Sequence, residues 1–217
     1  MIKRFAFSVL AVLLMTGSAA QAQFSYGARL GMGFPGFIDE EIASQRITLA
    51  TGLIGSLRIM DGFQIMTELG YQRKGNKYSL DFNPQGQSGT DTTLVKTNLD
   101  YINIPLYLKF NLGRTSKFYL QAGGYYGYLV HANFTGMRSG EMVKKEPIRD
   151  GLYLHDFGLV AGGGIETPIR PGLGVVLDIK YQWGLKDLNK DPLIIGNSNP
   201  LKNKGLTLSM GFYIDIE

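Results

Sequence analysis

The residues able to do chemistry are few. His131 and His155 are the whole supply of imidazole, and there is no cysteine. Disulfides and thiolate metal sites are thereby excluded, and two histidines are too few for a multi-histidine metal centre. His155 is followed by Asp156, two members of a Ser–His–acid triad in name. Neighbours on a strand face opposite sides, however, and no GxSxG nucleophile signature accompanies either histidine. A rim enzyme acting on lipid through these histidines is therefore a reading without a motif to carry it. Gly31-Met32-Gly33-Phe34-Pro35-Gly36 fits the spacing GxGxxG. The dinucleotide fingerprint needs a helix opening on its last glycine within a βαβ unit. Here Pro35 and the acidic run Asp39-Glu40-Glu41 follow, then another strand pattern. Ala161-Gly162-Gly163-Gly164 reads as a bend or a close-packed wall rather than a phosphate cradle. No cofactor, no metal and no enzymatic activity are expected.

The elements that would hold these residues are strands. Leu173, Val175, Leu177, Ile179, Tyr181 and Trp183 share one face of a period-two run, and Gly174, Val176, Asp178, Lys180 and Gln182 share the other. The apolar face is long enough to cross a bilayer and ends in an aromatic pair. Similar alternation occurs over 24–34, 46–60, 63–74, 98–112, 117–131, 153–167 and 204–216, giving eight strands with the one at 173–183. Asp61-Gly62 is a tight hairpin signal. Connections of a few residues follow the second, fourth and sixth strands. Polar connections of about a dozen to two dozen residues follow the others, at 35–45, 75–97, 132–152 and 184–203. Short periplasmic turns and long outer loops have this asymmetry, which places both termini in the periplasm.

The first 22 residues carry Lys3 and Arg4, then an apolar run from Phe5 to Met15, then Ala20-Gln21-Ala22. This is the layout of a cleaved secretory signal peptide, with a mature domain over 23–217. No later stretch is apolar for long enough to form a membrane helix, so only a closed barrel can cross a bilayer. The formal charge of +4 falls to about +2 once Lys3 and Arg4 leave, and no cationic stripe suited to nucleic acid is present. The expected architecture is an all-β, eight-stranded antiparallel up-and-down transmembrane barrel in the bacterial outer membrane. A soluble ligand-binding barrel with the same faces inverted is the competing fold. It would meet water with a face rich in glycine and poor in charge, against the usual composition of a wet sheet.

Strand parity sends Arg29, Arg58, Glu68, Lys109, Asp178 and Lys180 into the lumen, with Gln72, Lys74, Asn103, Gln121, Asp156 and Gln182. Tyr101, Tyr107, Tyr125 and Tyr213 point the same way, as does His131. Both signs are present, and charges in a narrow lumen must pair. Eight strands leave a bore that side chains fill. A polar network is expected there, with a narrow ion or solute path as the alternative. Phe63 and Phe118 fall on outward faces near one end, and Tyr181 and Trp183 near the other, as interface aromatics would. The long connections carry Lys77, Arg138, Lys144, Lys145, Arg149, Lys186, Lys190, Lys202 and Lys204 among acids. They are solvated loops, and contact with outer-membrane lipid and lipopolysaccharide phosphates is a further expectation. The chain is expected to be a monomer.

The runs NLDYINIPLYLKFNL (98–112), KFYLQAGGYYGYLV (117–130), DFGLVAGGGIE (156–166), VVLDIKYQWGLKDL (175–188) and KNKGLTLSMGFYI (202–214) resemble the PorT-type outer-membrane β-barrel family of Bacteroidetes-like bacteria, often labelled the porin family. The resemblance implies an eight-stranded outer-membrane barrel. It implies little about activity beyond a structural, surface-interaction or envelope-accessory role, with envelope (secretion) proteins as partners. One departure is the C-terminus: Phe212-Tyr213-Ile214-Asp215-Ile216-Glu217 places its aromatics a few residues before the end, where such barrels commonly finish on one.

Overall fold

The computed structural model describes residues 24–38, 46–82, 91–113, 117–138, 141–195 and 199–216. The expected signal peptide and the acidic run at 39–41 lie outside the described residues. The strands are β1 (Phe24–Phe37), β2 (Thr48–Met60), β3 (Phe63–Lys74), β4 (Lys77–Phe82), β5 (Asp91–Leu112), β6 (Lys117–Arg138), β7 (Glu141–Pro147), β8 (His155–Arg170), β9 (Leu173–Gly184) and β10 (Asn203–Ile216). A single 3-10 turn at Arg149–Gly151 and a short helix α1 (Pro192–Ile195) complete the described elements.

Eight strands close into a ring in the order β5-β3-β2-β1-β10-β9-β8-β6, and β6 pairs back onto β5. First and last strands zip together from Phe24 opposite Ile216 to Phe37 opposite Asn203, all antiparallel. Within the ring, every strand therefore has a neighbour on each side, which is the condition for crossing hydrocarbon without orphaned amides. The tight turn at Asp61-Gly62 works because Gly62 takes a φ of 80°, a left-handed conformation open to glycine.

Burial decides which face is which. Leu53, Leu69, Leu108, Leu120 and Leu177 are exposed on the outside, while Asp156, Lys109, Asp178 and Lys180 are buried. A soluble barrel would show the reverse. The inverted alternative is thus corrected by the sidedness of the sheet: the apolar face points out, toward lipid.

Two of the long connections are not loops. Residues 75–97 contain β4 and the first part of β5, and 132–152 contain the last part of β6 and β7. β4, β5, β6 and β7 run side by side beyond the ring as a protruding sheet. The physical reason is that β5 and β6 simply continue their ladder past the barrel, from Leu112 opposite Phe118 to Thr93 opposite Arg138. Outside the bilayer neither face needs an apolar row, so the alternation that marks a membrane strand fades while the backbone pairing persists.

Candidate functional site

The lumen holds charges of both signs in layers. In the middle, Arg29 Nη1 lies 2.6 Å from Asp178 Oδ2 and 3.6 Å from Glu68 Oε2. Lys180 Nζ donates to Glu68 Oε2 at 2.9 Å. Tyr119 donates its phenol to Asp178 at 3.1 Å, and Ser209 donates to the same carboxylate. Arg29, Glu68, Asp178 and Lys180 thus meet in one cluster of two cations and two carboxylates. Lys109 does not join it. It pairs with Glu166 near the short-turn end and lies 4.2 Å over the Tyr119 ring. Arg58 is placed at that same end, lining a cavity with Lys109, Glu166 and Asp215.

Toward the long-connection end a second cluster forms around the fully buried Asp156. Lys74 Nζ reaches it at 3.0 Å, Asn203 Nδ2 at 2.8 Å, and Tyr125 OH at 3.3 Å. The Lys74 ammonium also faces the Tyr125 and Tyr101 rings at 4.3 and 5.0 Å. Between the two clusters Asn103 donates to Gln72, and Gln72 donates to Thr207, each at 3.3 Å. The four buried cations among the described residues, Arg29, Lys74, Lys109 and Lys180, are matched by Glu68, Asp156, Glu166 and Asp178. Matching is what makes burial tolerable, since an unpaired charge here would cost several kcal/mol.

Little space remains. One cavity, lined by Glu68, Gln72, Asn103, Tyr107, Lys180 and Thr207, measures about 20 Å³, and the cavity beside Arg58 measures the same. Each has room for about one water. Above the Asp156 cluster an apolar core closes the wide end: Phe37, Leu99, Leu129, Ile148, Leu152, Leu188 and Leu201 are buried together. Loop residues come to it from two connections, those after β7 and after β9. Leu188 N donates to Leu201 O at 2.9 Å, Tyr153 N to Leu188 O at 2.9 Å, and Ile148 N to Ala132 O at 3.2 Å. Sequence reading missed this cap because its residues come from strand ends and two polar connections far apart in the chain. Tyr119, Glu166 and Asn203 were also missed, although the parity of their strands was sufficient to find them.

On the outside, Phe63 stacks on Phe110 with centroids 4.6 Å apart, and Phe118, Tyr181 and Trp183 are exposed. His131 is corrected: it is exposed, not in the lumen. The β5–β6 register shifts between Asp100, opposite His131, and Tyr101, opposite Leu129. Val130 is the extra residue, and one bulge reverses the parity beyond it. His155 is exposed as well, and its Nδ1 shares a 2.6 Å hydrogen bond with Tyr126 OH. Its neighbour Asp156 is inside, committed to Lys74. No Ser–His–acid arrangement is assembled around either histidine among the described residues, and none of the His, Asp and Glu groups there is placed to hold a metal.

The outer membrane protein beta-barrel domain family matches residues 19–190. No curated protein matches the sequence. Among solved structures the chain is similar to a major outer membrane protein from Thermus thermophilus (12% identity, 91% of this chain and all of that one, TM-score 0.51). It is also similar to Neisserial surface protein A (13%, 89% and 97%, TM-score 0.48) and to Ail, the attachment invasion locus protein of Yersinia pestis (12%, 90% and 100%, TM-score 0.46). Identities this low speak for the fold alone. The family match over most of the length, the closed eight-stranded ring and the outward apolar face agree: the chain belongs to the outer membrane protein beta-barrel domain family and resides in the bacterial outer membrane.

Proposed function

We propose that this protein is a non-enzymatic, plugged barrel that anchors a protruding sheet at the cell surface, serving as a surface-interaction or envelope-accessory protein. The observation that carries this reading is the lumen: matched ion pairs fill it, and an apolar core of strand-end and loop residues covers the wide end. A narrow ion path would need a continuous wetted track, and the cavities beside Arg58 and Glu68 each hold about one water. Rim catalysis is disfavoured by His155 being engaged by Tyr126 while Asp156 faces inward.

In this reading residues 1–22 are removed on export, the short turns lie in the periplasm and the protruding sheet faces outward. The sheet ends on β4 and β7. Edge strands carry unpaired backbone donors and acceptors, so a partner protein can add a strand of its own there. Phe63 and Phe118 would mark the periplasmic interface, and Tyr181 and Trp183 the outer one. The sequence runs that resemble the PorT-type family extend the proposal to an envelope role in a Bacteroidetes-like bacterium. The protein is taken to act as a monomer, with outer-membrane lipid, lipopolysaccharide included, as its surroundings.

Conductance in a planar lipid bilayer tests the plug. The expected record is flat, without unitary steps at voltages that leave the bilayer intact. Reproducible, ion-selective steps from the purified folded barrel would replace this reading with the channel.

A further inference from the structure

One flank of the wide rim gathers arginine and histidine among tyrosines, while on the opposite flank the lysines Lys202 and Lys204 stand beside mainly apolar outward positions. Arg73 follows Tyr71 on the outward face of β3, and its side chain is 43% exposed. Its Nε and Nη2 donate to Asp100 at 2.6 and 3.1 Å, and Nη2 also reaches Tyr71 OH at 3.3 Å. Asp100 is opposite His131 on β6. Arg149, from the connection after β7, donates through Nε to Leu129 O at 3.3 Å and through Nη2 to Tyr128 OH at 3.4 Å. Tyr128 is the ladder partner of His155 on β8, and their rings are 5.6 Å apart. Arg73, His131, Arg149 and His155 therefore follow one another across adjacent strands β3, β5, β6 and β8.

The arc offers donors. Both arginines keep an Nη1 that makes no hydrogen bond among the described residues. Tyr126 OH and His155 Nδ1 share one hydrogen bond, which leaves Nε2 as the ring nitrogen turned to an outside partner. Acids lie near the arc too: Asp100, which Arg73 occupies, Asp150, exposed beside Arg149, and Asp191, whose backbone N–H donates to Gly151 O at 3.1 Å. Glu146 on β7 is taken by Lys144 at 2.7 Å. Arg46, just before β2, adds a further guanidinium near Arg73. Burial, then the charge of Arg73, hold its pKa below the usual arginine value. On the far flank the outward positions at this level are Phe34, Ile47, Trp183 and Leu206, with Lys204 opposite Trp183.

Depth settles what such an arc meets. It lies at and just above Tyr71, Tyr126 and Tyr128; Ile102, Ile104 and Phe157 are their ladder partners, and beneath run Leu69, Leu106 and Leu159, all exposed. Aromatics of this kind mark the interface between chains and headgroups. The groups beside them at that level in the bilayer are lipid phosphates. We propose that Arg73, His131, Arg149 and His155 form a one-sided binding site for the phosphate of an outer-leaflet glycolipid, whose acyl chains lie on the apolar wall of β3, β5, β6 and β8. Charge-assisted and forked contacts from arginine suit a phosphate better than a neutral headgroup. The site rests on the proposed orientation, with the wide rim outward.

Native mass spectrometry of the full barrel in detergent reads the site directly. The probes are lipid A, the same lipid after phosphatase treatment, and inorganic phosphate. One lipid A is expected to be retained per barrel, with about tenfold preference over the dephosphorylated form, as one or two charge-assisted hydrogen bonds give. The variant R149Q/H155Q should lose about tenfold in lipid A binding, and R73Q/D100N, which removes the rim ion pair together and strands no charge, should lose a similar amount. K204Q, on the far flank, should bind as the native protein does. Equal losses in all three variants, or none in the first two, would overturn the site. Displacement of lipid A by millimolar inorganic phosphate would make it a free-anion site instead and overturn the lipid assignment. Orientation is read separately, by thiol labelling of the Lys145→Cys variant on intact cells, so a protein inserted the other way is not mistaken for a missing site.

Discussion

Asp178 is the residue whose loss should reveal how dry the lumen is. Its side chain is 1% exposed, and it faces Arg29, 2% exposed, at 2.6 Å. With Glu68 and Lys180 the cluster is neutral: two cations, two carboxylates. Asp178→Asn keeps the shape but only one acceptor oxygen, enough for Tyr119 or Ser209 and not for both as now, and it leaves two cations to share Glu68 alone. Breaking a buried pair by removing one partner costs about 3–5 kcal/mol, because the remaining charge is stranded. With a urea slope of about 2 kcal/mol/M, the unfolding midpoint should fall by roughly 2 M. The assay is urea unfolding of the barrel in lipid vesicles, followed by the fluorescence of Trp183, the only tryptophan. Adding Arg29→Met removes the stranded charge as well, since Glu68 retains Lys180 at 2.9 Å. The double variant should return to within about 1.5 kcal/mol of the native protein, as volume-conserving core changes do. A single-variant cost below about 1 kcal/mol, with no recovery in the double, would mean that water already screens the pair. The plugged-lumen reading would fall with it.

Three further outcomes are expected. A Cβ at Gly123 would lie 1.9 Å from Leu106 O across the β5–β6 ladder, whereas one at Gly124 would meet Gly158 O at 3.6 Å. Gly123→Ala should therefore cost about 1–3 kcal/mol in the same unfolding assay while Gly124→Ala changes it little; equal costs would show that the ladder yields there. A Cβ at Gly151 would come within 2.7 Å of Ile194 Cγ2. Gly151→Val should lift the connection after β9 off the apolar cap, so that limited proteolysis cuts between residues 185 and 202 while the gel shift on heating is preserved; an uncut chain would refute this. Trp183 is 55% exposed at the wide rim, and lipid brominated near the headgroup should quench it more than lipid brominated near the chain end. The opposite order would put the membrane band elsewhere.

The barrel was legible in the sequence because hydrocarbon enforces the period-two rule on one face. Leu53, Leu69, Leu108, Leu120 and Leu177 all had to point out, and they fix register and strand ends together. Where that constraint stops, the reading failed in predictable places. Beyond the band, Thr93 to Asn98 and Asn133 to Arg138 pair as well as any membrane strand without an apolar row to announce them. At Val130 one extra residue turned His131 from the lumen to the outside, and no local composition signals that bulge. The cap residues Leu99, Leu129, Leu152, Leu188 and Leu201 come from strand ends and two polar connections far apart in the chain, and are brought together only by the fold. The cationic rim has the same character: His131 and Arg149 reach it through a bulge and a turn, so their alignment with Arg73 and His155 could not be read from spacing.

The lumen shows why a wall so rich in glycine goes with so many buried tyrosines. A Cβ at Gly164 would lie 2.7 Å from Tyr119 OH, one at Gly174 would lie 2.3 Å from Tyr213 Cζ, and one at Gly158 would lie 2.8 Å from Tyr125 Cε1. Each tyrosine reaches over a position on the neighbouring strand that has no side chain, with its phenol oxygen at Gly164 and with ring carbons at Gly174 and Gly158. The missing Cβ provides the thickness of the ring, so eight strands can close around it without a wider bore. The phenols then face the centre, where Tyr119 donates to Asp178 and Tyr125 to Asp156. Glycine on the wall and carboxylate at the axis are thus two requirements of the same side chain. A larger residue at the glycine would push the phenol off its carboxylate, and a shorter one at the tyrosine would open space for water beside a buried ion pair. Gly164→Ala should therefore weaken the barrel through Asp178 as well as through packing. Combined with Tyr119→Phe it should cost less than the sum of the two, because both changes break the same 3.1 Å bond. Strict additivity in the unfolding free energies would show that ring and wall act independently.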